Sequence, residues 1–186
     1  MSLLDIHVLG SPILRMETRI VTDFTSELKD LAENMFETMR AAEGIGLAAP
    51  QVGREERLAV IEVDREKYVI VNPEVIVEEG EDRQEEGCLS IPDIHGEIDR
   101  ARRVVVDAFD LDGVQRRIEA EGLLARCLLH EIDHLHGKLF IDYLSLLKRR
   151  AALGTWETLK AKYPGSIRHL ASVGGSQVSP SGSGDM

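Results

Sequence analysis

Gly122-Leu123-Leu124-Ala125-Arg126-Cys127-Leu128-Leu129-His130-Glu131-Ile132-Asp133-His134-Leu135-His136-Gly137 is the stretch from which the rest of the chain is best read. Its apolar residues and the closing Gly137 predict a helix from about Gly122 to His136. At about 100° per residue, His130 and His134 stand only ~40° apart around the axis and one turn apart along it, so both imidazoles can reach one metal ion. Glu131 falls ~60° from His134, on the flank of the same face. A carboxylate there can sit beside a metal-bound water without ligating the metal, which is the physical logic of His-Glu-x-x-His in metal hydrolases. Leu123, Leu124, Leu128, Leu129, Ile132 and Leu135 surround the motif, so the helix should be buried. Two histidines and two carboxylates in adjacent buried turns are costly without a partner, and a metal supplies one.

A catalytic metal site usually takes three protein ligands and leaves a position open for water. Cys127 shares the face of His130 and His134, but seven residues of helix separate it from His134 by ~10.5 Å. Ligand bonds of ~2.0–2.3 Å keep donor atoms only a few ångströms apart, so Cys127 is excluded and reads as a small buried hydrophobe. Two candidates stay open for the third ligand. One is Cys88, in Glu86-Gly87-Cys88-Leu89-Ser90; the other is Glu157 on a downstream helix, which would give the arrangement of a zinc endopeptidase. His136 lies ~160° from His134 and reads as surface or supporting, not as a ligand. His7, His95 and His169 have no partner motif.

Outward from the metal helix, Thr25 to Ala42 carries Leu28, Leu31, Met35 and Met39 at helical spacing, with Thr25 or Ser26 as cap and Gly44 as stop. A third helix is expected from Ser145 to Tyr163, ended by Pro164. Leu58–Val63, Tyr68–Val71, Val75–Glu79, Val104–Leu111 and Gln115–Glu121 read as strands, the last two joined by Asp112-Gly113, a two-residue hairpin signal. A helix, several antiparallel strands and then two helices indicate an α+β fold.

With 186 residues, 43% of them apolar, the chain has room for one sizeable core and is short for two domains. Residues 1–170 read as a single catalytic domain, and 171–186, rich in Gly and Ser, as a disordered tail. Lys plus Arg is 22 against 33 Asp plus Glu, a formal charge of −11, which argues against coating nucleic acid or an anionic membrane. The small basic cluster Lys148-Arg149-Arg150 reads as a solvated helix face or as a weak contact with a polyanion such as ribosomal RNA. Two cysteines, no apolar run of membrane-spanning length and no secretory signal pattern make a cytoplasmic location with reduced thiols the expectation.

Three segments together resemble the peptide deformylases. They are Gly44-Ile45-Gly46-Leu47-Ala48-Ala49-Pro50-Gln51-Val52-Gly53, then Glu86-Gly87-Cys88-Leu89-Ser90, then His130-Glu131-Ile132-Asp133-His134-Leu135-His136-Gly137. A smaller match, Leu139-Phe140-Ile141-Asp142-Tyr143-Leu144, follows, and the likeness covers roughly residues 5–165. The resemblance implies antiparallel strands packed around a central metal-binding helix, plus a C-terminal helix. It implies hydrolysis of the N-formyl group from the formyl-methionine of nascent polypeptides, with release of formate. It further implies Cys88, His130 and His134 as ligands, Fe2+ as the native ion, and Zn2+, Ni2+ or Co2+ as substitutes. A transient ribosome contact is expected with it; a membrane or a sequence-specific nucleic acid is not.

On that basis Glu131 takes a proton from the attacking water and returns it to the leaving amine. The side-chain amide of Gln51 and the backbone N–H of Leu89 stabilise the oxyanion. Ile45 and Gly46 meet the substrate backbone as it adds like a strand. By position, Ile45, Leu123 and Cys127 line the pocket for the methionine side chain. Asp133 is expected to orient a ligand or pair with Arg100 or Arg102, and Glu86 to act similarly. Leu129 stands where many members carry Gln, and His95 and Arg126 have no assigned role.

Overall fold

The computed structural model describes residues 2–171. In chain order its elements are β1 (Ile6–His7), α1 (Ser26–Ala41), β2 (Gly46–Ala48), β3 (Leu58–Val63), β4 (Glu66–Glu79), β5 (Asp82–Cys88), β6 (Ile91–Arg100), β7 (Arg103–Phe109), β8 (Gln115–Glu121), α2 (Gly122–Leu135), α3 (Leu146–Leu159) and β9 (Ile167–Arg168). Short 3-10 turns join several of them. Five strands form one antiparallel sheet in the order β2-β3-β4-β7-β8, while β5–β6 and β1–β9 are separate two-stranded sheets.

The Leu-Ala-Val-Ile run of β3 explains the layering. Leu58 and Val60 face α1, joining Leu28, Leu31, Met35, Phe36 and Met39. Ala59 and Ile61 face the other way, joining Leu128, Ile132 and Leu135 of α2. A strand covered on both faces needs no polar alternation, hence four apolar residues in succession, Leu58 to Ile61. Thr25 caps α1 by accepting from the Leu28 N–H (3.3 Å), and Ser145 caps α3 from Lys148 in the same way. α3 stops at Leu159, short of the expected Tyr163, and single 3-10 turns carry the chain on. It buries only Trp156 among its residues, so little packing holds its last turn against the bias of Pro164 on Tyr163.

The two strands expected at Tyr68–Val71 and Val75–Glu79 are one strand, β4. Its register slips between Val71 and Glu74, where Pro73 has no N–H for the ladder and Asn72 takes φ +48°. The Asn72 side chain closes the gap, exchanging two 2.9 Å hydrogen bonds with the Val21 backbone. Asp112-Gly113 sits in a longer loop than two residues: Asp110 N–H donates to Val114 O (2.9 Å), and Gly113 takes φ +77°. The Asp110 carboxylate accepts from the N–H groups of Asp112 and Val114, which fixes that loop. The β5–β6 hairpin gave no strand signal, because Asp82-Arg-Gln-Glu-Glu86 is polar throughout. Its apolar face, Ile91, Ile94 and Ile98, packs on Leu139, Phe140, Leu144 and Trp156.

None of the described helices is long and apolar enough to cross a membrane. The expected tail, Ala171 apart, lies outside the described residues.

Candidate metal centre

Three elements from different layers meet at one point. α2 presents His130 and His134 one turn apart, and β5 ends on Cys88 beside them. Cys88 Sγ lies 3.3 Å from His134 Nε2, which lies 3.3 Å from His130 Nε2, and the three donor atoms are all within 4.8 Å of one another. Four-coordinate bonds of ~2.0–2.3 Å place neighbouring N and S donors roughly 3.3–3.6 Å apart, so the spacing suits one ion, and the thiolate–imidazole set suits Fe2+ or Zn2+. Among the described residues no other such trio converges. Glu157 is exposed on α3, paired with Lys160, so the endopeptidase arrangement lacks its third ligand.

The outer face of the histidines is built with equal care. Glu86 Oε2 lies 2.9 Å from His130 Nδ1; a carboxylate there can only accept, so Nδ1 carries the proton and the Nε2 lone pair is left for a metal. Arg100 grips the same carboxylate with two hydrogen bonds, Nε to Oε1 (2.8 Å) and Nη2 to Oε2 (3.1 Å), and reaches Asp133 with Nη1 (2.6 Å). Tyr143 donates to the other Asp133 oxygen (3.0 Å), and its ring lies under the Arg100 guanidinium. Burial pushes the Glu86 carboxyl up, but its bonds to His130 and Arg100 outweigh this and bring it to about 2. Of the two arginines left open by the sequence, it is Arg100 that pairs with Asp133.

Glu131 stands apart from this network. Its side chain is buried, and Oε2 has no hydrogen-bond partner among the described residues. Burial raises its carboxyl to about 7, while a cation at the adjacent trio would draw it down again. Gly46 of β2 is what lets the carboxylate sit there: a Cβ at Gly46 would overlap Glu131 Oε1 and stand 2.9 Å from Cys127 Sγ.

Gln51 is buried and its amide has one orientation. Oε1 accepts from the Ala48 N–H (2.8 Å), so Nε2 faces Ser90 Oγ (3.1 Å) and Cys88 Sγ (3.6 Å). Leu89 is in the two-residue turn between Cys88 and Ile91, outside the ladder, and packs against Gly44, where a Cβ would stand 2.6 Å from Leu89 Cδ1. Gln51, Cys88, Leu89, His130 and Glu131 open on a cleft of about 710 Å³. Ile45, Gly46, Leu123 and Cys127 line it, with Ile45 and Leu123 leaving apolar surface exposed and burial pushing the Cys127 thiol up. Arg126, whose role the sequence leaves open, joins Glu86, and two residues that the sequence does not mark, Tyr163 and Arg168, line the cleft from beyond α3. The last two belong to no motif, and nothing in their spacing marks them.

The sequence model of the polypeptide deformylase family matches residues 3–150. A peptide deformylase of Desulfitobacterium hafniense is 46% identical over 150 residues, covering 81% of this chain and all of that protein. One from Acinetobacter baumannii is 49% identical over 154 residues, covering 81% of this chain and 88% of its own. Among solved structures, a peptide deformylase from Legionella pneumophila superposes with a TM-score of 0.81 at 45% identity, covering 88% of this chain and 100% of that one. That of Thermus thermophilus also gives 0.81, at 42% identity, covering 87% and 97%.

Proposed function

The chain belongs to the polypeptide deformylase family, and on that premise we propose which of its residues remove the formyl group from formyl-methionyl peptides. It is a metal-dependent hydrolase of the N-formyl amide, releasing formate and a free amino terminus. The observation that carries the residue assignment is the convergence of Cys88, His130 and His134 within 4.8 Å.

Cys88, His130 and His134 hold one divalent ion, Fe2+ in the native enzyme. When bound, the ion supplies Lewis acidity, lowering the pKa of a water towards neutrality and polarising the formyl carbonyl. Glu131 takes the proton of the attacking water on its carboxylate, to which no hydrogen bond from the described residues holds a proton already, and returns it to the amine nitrogen as the C–N bond breaks. Gln51 Nε2 and the Leu89 N–H donate to the formyl oxygen as it becomes an oxyanion. Gln51 is suited to this because its Oε1 is tied to Ala48, so only its donor end faces the site. Among the described residues β2 pairs with β3 alone, and its free edge at Gly46, with Ile45 just before it, receives the peptide backbone as an added strand. Ile45, Leu123 and Cys127 receive the methionine side chain.

Residues 1–170 act as a single catalytic domain, in the cytoplasm. Transient ribosome contact is supported by Lys148, Arg149 and Arg150 at the start of α3, beside Leu146 and Leu147, which are 80% and 79% exposed. Charge reversal there should weaken salt-sensitive co-sedimentation with ribosomes; unchanged co-sedimentation rejects the contact.

Release of formate from formyl-Met-Ala-Ser by Fe2+-loaded protein tests the assignment. Glu131→Gln should keep its metal and lose ~10²–10⁴-fold in rate. Full activity in that variant rules Glu131 out as the proton carrier.

A further inference from the structure

The three proposed ligands straddle two layers that share little apolar contact. His130 and His134 belong to α2, which packs on the five-stranded sheet. Cys88 ends β5, in a hairpin that is a sheet of its own. The apolar face of that hairpin is turned to the segment after α2 and to Trp156, not to α2 itself. A two-stranded hairpin is marginal alone, so its register against α2 needs another hold.

Arg126 sits four residues before His130, one turn away on the same face of α2, and is 5% exposed. Its Nη2 donates to Asp82 O (2.6 Å) at the start of β5, and Nη1 to Ile98 O (3.3 Å) on β6. Nη1 also donates to Glu86 Oε1 (3.0 Å), two residues before Cys88. One guanidinium rooted in α2 thus holds both strands of the hairpin. Its bond to Glu86 also adds a third N–H, beside the two of Arg100, to the carboxylate that orients His130.

We propose that Arg126 is a positioning residue that clamps the β5–β6 hairpin to α2 and so keeps Cys88 within reach of an ion held by His130 and His134. Arg100 complements it from the opposite side, starting on β6 and reaching Asp133 of α2. The guanidinium fork is essential to this, since only it can serve Asp82, Ile98 and Glu86 together. The inference rests on the ligand set proposed above.

Arg126→Met keeps the apolar stem and removes the fork. Loaded with Co2+, it should release the ion to a chelator ~10–100-fold faster than the parent, with a weaker thiolate-to-cobalt absorption band. Amide hydrogen exchange should rise across residues 82–100 and stay level in α1. Arg126→Lys, which keeps the charge without the fork, should fall between the two; should the Met variant not fold, the same comparison is made on it alone. Unchanged Co2+ release overturns the proposal, and so does faster release with unchanged hairpin exchange. Cys88→Ser separates the two readings. If it holds Co2+ as tightly as the parent, the ligand set fails and the clamp with it; if it loses Co2+ while the Arg126 variants do not, only the clamp fails.

Discussion

Replacing Gly46 with alanine puts a methyl group where the Glu131 carboxylate now lies. The added Cβ would stand 2.8 Å from Glu131 Cδ and 2.9 Å from Cys127 Sγ, where ordinary contact begins at 3.4 Å. The backbone has little room to give, because β2 is paired with β3 through Gly46↔Ile61 and β3 is buried on both faces. The carboxylate must therefore retreat by roughly 0.6 Å or more. Misplacing a catalytic group by about 1 Å costs on the order of 10²-fold in rate, equivalent to about 2.7 kcal/mol of barrier. Overpacking adds ~1–3 kcal/mol of destabilisation, within the ~5–15 kcal/mol of a folded domain, so the variant should fold. The atoms nearest the new methyl belong to Glu131 and Cys127 and not to the trio of ligands, so metal content should be unchanged. Formate release measured beside metal content would then show kcat/KM down about 10²-fold at full occupancy. Truncating Cys127 to alanine in the same protein should not restore it, because the overlap with Glu131 persists. Activity within a few-fold of the parent, or rescue by the Cys127 change, would refute this account of Gly46.

Gln51→Ala should lower kcat by ~10²–10³-fold, as a lost oxyanion donor does, and an effect confined to KM would remove Gln51 from that role. Chelating the ion should lower Tm: at 100 times Kd, binding stabilises by about 2.7 kcal/mol, or about 5–10 °C for a protein of this size, and an unmoved Tm would count against a resident ion. Asp142 is raised by its partial burial, but Arg15 and the Leu139 N–H outweigh this and hold it below the usual aspartate range. A depressed carboxyl stabilises the fold above its unfolded pKa, and that contribution is lost as pH falls through the folded one. Between pH 5 and pH 3 the parent should therefore lose more stability than Asp142→Asn, by under about 1 kcal/mol because the pair is partly solvated; parallel melting curves would contradict it.

The parts of the fold legible in the sequence are those with a single dominant period. α1 and α2 carry apolar stripes and end signals, and β3 is bounded as expected because its short run, Leu58-Ala-Val-Ile61 followed by Glu62 and Val63, is rich in β-branched residues and too short for a helix. The β5–β6 hairpin was not legible, since Arg83, Gln84 and Glu85 face solvent and the inward Ile94 and Ile98 lie on the other strand. β1 and β9 are two residues each, too short for any period, and exist only because distant segments meet. At the site, spacing on one helix places His130 and His134 together, but no spacing rule carries Cys88 to them across a chain reversal. That placement depends on long-range pairing, which only the fold or a family likeness supplies. The role of Arg126 stays open in the sequence for a related reason: two of its three partners, at Asp82 and Ile98, are backbone carbonyls, which leave no trace in side-chain identity.

The pairing of β1 with β9 has a topological consequence. Ile6 lies opposite Arg168, and Asp5 accepts from His169 (2.8 Å), so late in its course the chain returns to pair with its first strand. From β1 to β9 the described chain nearly closes on itself. A short glycine linker between those two strands would complete the circle, and the exposed loop at Asp112-Gly113, far along the chain from Cys88 and from His130, offers a place to reopen it. The order of the segments along the chain is thus separable from their arrangement in space, and a circularly permuted protein could carry its ends on the opposite side of the β7–β8 hairpin with the metal helix uncut.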